Sequence, residues 1–152
     1  MEIKTFEDLI EWVRLLHSHL ASSMKGSVAG NGNEQARALL TYLSDHEQEL
    51  TRITREFERQ ADTKALQTRL YDYIEHKPIN RGPTSDTHYA TMSYDEICAE
   101  IFHFHDEVIA LYKALASKAE IPEAKALMEE LQEMEEHQAM RLATQTGSGR
   151  DL

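Results

Sequence analysis

Hydrophobic residues recur every three to four positions in four long runs of this chain, a spacing that predicts helices throughout. The first run is Phe6, Leu9, Val13, Leu16, Leu20 and Met24, which predicts a helix from about Phe6 to Lys25. Thr5 and Asp8 open it with a capping-box-like start that uses a shorter acid. Gly26, Gly30, Asn31, Gly32 and Asn33 then supply turn chemistry and an N-cap, so the chain reverses. A second stripe, Ala36, Leu39, Leu43, His46, Leu50, Ile53 and Phe57, predicts a helix restarting near Glu34. Asp62 or Thr63 can cap a short extra helix with Leu66, Leu70, Tyr73 and Ile74 on its apolar side. From His76 to Met92, Pro78, Gly82 and Pro83 interrupt a polar stretch, which predicts a long, mobile connection. Ser93 and Glu96 form the clearest capping box and open a third long helix bearing Ile97, Ile101, Phe104, Val108, Leu111 and Leu115. Pro122 suits the first turn of a fourth, lined by Leu127, Leu131, Met134 and Gln138, and a frayed polar tail follows from Thr144.

No strand pattern competes with these helices. Two hairpins with a long link predict an all-α four-helix bundle with one crossover, in a single domain over 1–145. The crossover spans about 63–92, and 146–152 form a flexible tail. An up-and-down bundle, with the 63–92 segment decorating a loop, is the alternative.

Composition narrows the function classes. At 152 residues the chain suits one domain, and a chain of that size can bury roughly 68–70% of its unfolded surface. A formal net charge of −11 opposes attraction to nucleic acid or anionic lipid, which need Lys and Arg to displace counterions. The single cysteine, Cys98, cannot form an internal disulfide, and the charged N-terminus lacks a signal-peptide core, so the expected compartment is the cytoplasm. No apolar run reaches the roughly 20 residues that span a bilayer.

Depth along the hairpins singles out the histidines. Residues equidistant from a hairpin turn face each other; the midpoint of His17 and His46 falls inside Gly30-Asn31-Gly32-Asn33, and that of His105 and His137 falls on Ile121. Glu107 serves as well opposite His137, with its midpoint on Pro122. At about 100° per residue, His46 sits near the centre of its apolar stripe. His17, His105 and His137 lie toward stripe edges, and Glu100 and Glu107 share the opposite edge of the third helix. His105 and Glu107 point about 200° apart, so one of them faces away from any central site. Neutral imidazole with carboxylate is a donor set that iron, manganese and zinc accept, and i,i+3 or i,i+4 pairs let one helix give two ligands. The pairs are His46 with Glu49, Glu100 with His103, His103 with Glu107, and Glu133 with His137. The candidate metal ligands are therefore His17, His46, Glu49, Glu100, His105, Glu107, Glu133 and His137. Glu47, Glu129, Glu130, Glu135 and Glu136 read as solvated faces, and His76 and His88 as loop residues with no partner.

The stretch from Ala110 to Leu131, followed by Glu133-Met-Glu-Glu-His137, resembles the second helix pair of ferritin-like proteins, the rubrerythrin branch especially. Asp45-His46-Glu47 and Glu136-His137-Gln138 occupy equivalent places in their hairpins. The resemblance implies a ferritin-like four-helix bundle that binds iron, with manganese or zinc as alternatives, for redox chemistry or iron handling. It also implies a homodimer. A ferritin-like site expects a Glu from the first and third helices and Glu-x-x-His from the other two. Here His46 precedes Glu49, Glu133 stands four residues before His137, and the only Glu-x-x-His is Glu100 to His103. A histidine-rich variant, a mononuclear site and a lost site stay open. The competing readings are a metal-free interaction module that binds a protein partner through its acidic face, and hemerythrin-like oxygen binding. The last has His103-x-x-x-Glu107 but lacks a His-x-x-x-His helix.

Overall fold

The computed structural model describes residues 2–70 and 85–147. The chain is all-helical there, with no strand among the described residues. Its elements are α1 (Phe6–Ser27), α2 (Glu34–Gln60), the single turn α3 (Thr63–Leu66), α4 (Tyr94–Lys118) and α5 (Pro122–Thr146).

Three of the four long helices, α1, α2 and α4, begin where side chains satisfy free backbone N–H groups. The Asp8 N–H donates to Thr5 Oγ1 at 3.2 Å while the Thr5 N–H donates to Asp8 Oδ2 at 3.2 Å, a complete capping box despite the short acid. Asn33 caps α2 by accepting from the Ala36 N–H at 2.9 Å, and Ser93 with Glu96 closes the box at α4. Pro122 starts α5 without a side-chain cap. Thr144 to Thr146, expected in the tail, are helical: α5 continues through Thr146 and ends at Gly147, whose φ of 61° is the left-handed conformation glycine adopts freely.

The helices α1 and α2 pack as one hairpin, and α4 and α5 as a second. All four long helices feed one apolar cluster, in which Ile10, Leu40, Phe104, Met128 and Leu142 are fully buried. The predicted extra helix is shorter than its apolar stripe, because Thr68 and Leu70 turn to pair with the chain start instead. The Phe6 N–H donates to the Thr68 carbonyl at 2.9 Å, and the Leu70 N–H donates to the Lys4 carbonyl at 2.8 Å. Tyr73, Ile74, His76 and Pro78 lie outside the described residues.

The described end of the connection, 85–92, is anchored. Ser23 Oγ donates to the Ser85 carbonyl at 2.7 Å, and Asn31 Nδ2 donates to the carbonyls of Tyr89 at 3.1 Å and Met92 at 3.0 Å. The Tyr89 ring is fully buried beneath them. Backbone approach here is close enough to need glycine: a Cβ on Gly26 would lie 2.5 Å from the Asp86 carbonyl oxygen. Ordinarily Gly→Ala inside a helix gains about 1 kcal/mol. Gly26→Ala is expected to do the reverse, costing about 1–3 kcal/mol through overpacking, with chemical denaturation as the check. Gly32→Ala, where an added Cβ meets nothing within 4 Å, is the control.

Candidate metal centre

Halfway along the long helices, charged and polar side chains replace apolar ones at core positions. In α1, His17 follows Val13 by one turn; in α2, Glu47 lies between Leu43 and Leu50. In α4, His105 follows Ile101 by one turn, and in α5 Glu135 lies one turn after Leu131. Each is therefore turned inward by the same spacing that turns its apolar neighbours inward. His17 and Glu47 are wholly inaccessible to solvent, as is His105, while Glu135 is 1% exposed.

The four side chains form one chain of contacts. His17 Nδ1 lies 2.7 Å from Glu47 Oε1, and its Nε2 lies 2.8 Å from Glu135 Oε1. His105 Nε2 lies 2.8 Å from the other Glu47 oxygen, Oε2. Phe104 closes one side, its ring centroid 5.5 Å from that of His17 in an edge-on contact.

The surroundings fix the charges. Burial by itself would lower the His17 pKa, but the carboxylates of Glu135 and Glu47 outweigh it and raise it to about 10. Burial would likewise raise Glu47, yet His105 and His17 hold it well below the usual carboxylate range. His17 is then an imidazolium donating to two carboxylates. His46, next to Glu47 but half-buried, goes the other way: burial pushes it down to about 4, which keeps its ring neutral. Burial, with the Glu135 charge adding to it, also raises the Tyr112 hydroxyl well above its ordinary value.

Among the described residues, His17, Glu47 and His105 form a group in which one ligand atom from each lies within 4.8 Å of the others. Several neighbouring polar atoms are buried without a protein partner: His105 Nδ1, His46 Nε2, Glu135 Oε2 and the Tyr112 hydroxyl. An unsatisfied buried donor or acceptor costs about 1–3 kcal/mol, so a concentration of them beside two carboxylates and two imidazoles fits a cation and its coordinated ligands. If His17 ligates through Nδ1, its Nε2–H donates to Glu135, the arrangement in which an outer carboxylate fixes a ligand histidine's tautomer.

Of the sequence candidates, the structure brings His17 and His105 together, with His46 beside them at a ring-centroid distance of 6.2 Å from His105. It does not bring the rest there. Glu49 is exposed and paired with Arg52. Glu100 accepts from His88 Nε2 at 2.9 Å, so His88 has the partner its sequence position did not suggest. Glu107 pairs with the exposed His103 at 3.1 Å, which answers the orientation question in favour of His105 facing inward. Glu133 and His137 are exposed on α5, where with Phe57, Met134 and Met140 they line a surface cavity of about 650 Å³.

Glu47 and Glu135 correct the expectation that they form solvated faces. A signal for them existed: the midpoint of His17 and Glu47 is Gly32, inside the first turn, and that of His105 and Glu135 is Glu120, inside the second. At a single position that signal is weak, because a charged side chain is rarely buried unless paired, and these pairs form between helices. Comparison of the chain with protein-family models, curated proteins and solved structures finds no match in any of the three.

Proposed function

We propose that this chain is a ferritin-like helical bundle that holds one transition-metal ion in its interior, iron(II) foremost, for redox chemistry or iron handling. The observation that carries the reading is the convergence of two imidazoles and one carboxylate, His17, His105 and Glu47, from three helices onto a solvent-free spot. Two histidines and one carboxylate with open positions are the donor combination of non-haem iron(II) sites, and zinc accepts the same set. Relative to the usual ferritin-like pattern the donors are exchanged, with His on α1 and α4 and Glu on α2 and α5. Iron held this way would supply one-electron chemistry toward dioxygen or peroxide. The protein's part is to exclude bulk water, to neutralise the charge with Glu47, and to orient His17 through Glu135.

The test is elemental analysis of protein purified without chelator, then loaded separately with iron(II), manganese(II) and zinc(II) and desalted. About one equivalent per chain should survive for at least one metal, and the double variant His17→Ala/His105→Ala should retain almost none. No stoichiometric metal in any of the three contradicts the proposal.

A second reading, a metal-free interaction module, has one observation in its favour. Both nitrogens of His17 and both oxygens of Glu47 already have partners inside the protein. In that case the cluster is a structural ion-pair network, and the cavity of Phe57, Met134 and Met140, rimmed by Glu130, Glu133 and Glu136, is the working surface. Among the described residues no helix is long and apolar enough to cross a membrane.

A further inference from the structure

A cation cannot reach the centre directly from bulk water, since His17, Glu47 and His105 have essentially no surface of their own. An intake path is part of what any buried metal site requires. Among the described residues, His46 is the partly exposed imidazole that lies beside the buried group. His46 is half-buried on α2, immediately before Glu47, and its ring centroid lies 6.2 Å from that of His105. Its Nε2 is buried and bonds to no protein group, while the ring is steadied by an edge-on contact with Tyr42 at 6.4 Å between centroids. One turn further along the same helix is the exposed carboxylate of Glu49, which is paired with Arg52.

These positions descend in exposure from Glu49 through His46 to His105 and Glu47. We infer that His46 is the intake ligand of the interior site: it takes a divalent first-row cation at the protein surface and passes it to His105 and Glu47. Glu49 gathers the cation outside. The inference rests on the proposed interior site and adds a role for a residue outside the triad. An intake ligand acts on rates in both directions, because the cation leaves by the path it entered. A permanent ligand acts on affinity.

Cobalt(II) is the probe, followed by its visible absorption in a stopped-flow instrument on the full chain, with release followed after mixing with excess chelator. His46→Ala should slow loading and release together, each at least tenfold, and leave the dissociation constant within threefold of wild type. His46→Gln, which keeps more of the volume, should do the same and guards against a folding defect in the alanine variant. Glu49→Gln should slow loading less, and only at low salt. Unchanged rates in both His46 variants overturn the inference, as does a tenfold weaker affinity with unchanged loading. If wild type binds no cobalt, the interior site itself fails. If wild type binds and the variants load normally, only the route fails.

Discussion

Glu47→Ala should lower the free energy of unfolding by about 3–5 kcal/mol, because it removes one partner from a buried charged pair and leaves the other uncompensated. Two rings lose their acceptor at once: His17 Nδ1 and His105 Nε2 each bond a different Glu47 oxygen. Neither ring has surface through which water could replace the carboxylate. Glu47→Gln keeps an acceptor for one ring but turns an N–H toward the other, so about 1–3 kcal/mol is expected. Glu133→Ala on the exposed face of α5 should stay within about 0.5 kcal/mol. Urea unfolding of the three metal-free variants checks the order. A Glu47→Ala protein as stable as Glu133→Ala would mean that the buried contacts do not exist in solution.

The stability of the metal-free protein should fall steeply as pH rises through the alkaline range. His17 has a folded pKa of about 10 against an ordinary value of 6.5, held there by Glu135 and Glu47 against the cost of burial. A group raised in the folded state gives stability that is complete below the unfolded pKa and disappears as pH climbs through the folded one. The window is therefore pH 6.5 to 10. At about 1.36 kcal/mol per pH unit, the loss across it is of order 5 kcal/mol. Glu47 acts at the other end: depressed by His105 and His17, it gives stability that is present above pH 4.5 and is lost as pH falls toward its folded value. Greatest stability should lie between these limits, near pH 5–6.5. His17→Gln should flatten the alkaline limb. In metal-loaded protein the cation takes the place of the His17 proton, so the limb should disappear. Apparent metal affinity should then rise about tenfold per pH unit across pH 6.5–9, the slope for one proton released on binding. Thermal melts with and without metal, and competition titrations at several pH values, read both effects.

The helices were legible in the sequence because capping and periodicity are local. Thr5, Asn33, Ser93 and Pro122 mark the starts of α1, α2, α4 and α5 where the structure has them. Depth was legible as well, since hairpin geometry depends only on distance from the turn, and both His17 and His105 lie at the level it gave. The face was harder. The apolar stripe of α2 is broad, with Leu39 and Leu40 both buried, so its centre is poorly fixed by pattern alone. The structure turns Leu40, Leu43, Glu47, Leu50 and Thr54 inward, which moves His46 to the margin and puts Glu47 at the heart of the site. Glu135 is hard to read from sequence for a related reason: among Glu133, Glu136 and His137 it looks like one more solvated charge, and the partner that lets it be buried, His17, is 118 residues away. The anchoring of 85–92 is of the same kind, set by Ser23, Ser27 and Asn31 in a distant hairpin.

The most direct measurement is anomalous diffraction at the iron absorption edge from crystals of iron-loaded protein. The account predicts one strong peak in the interior within about 2.3 Å of a ring nitrogen of His17, a ring nitrogen of His105 and an oxygen of Glu47, with Glu135 still accepting from the far side of the His17 ring. A peak at Glu133 and His137 on the surface, or no peak while His17 stays bonded to both carboxylates, would contradict it.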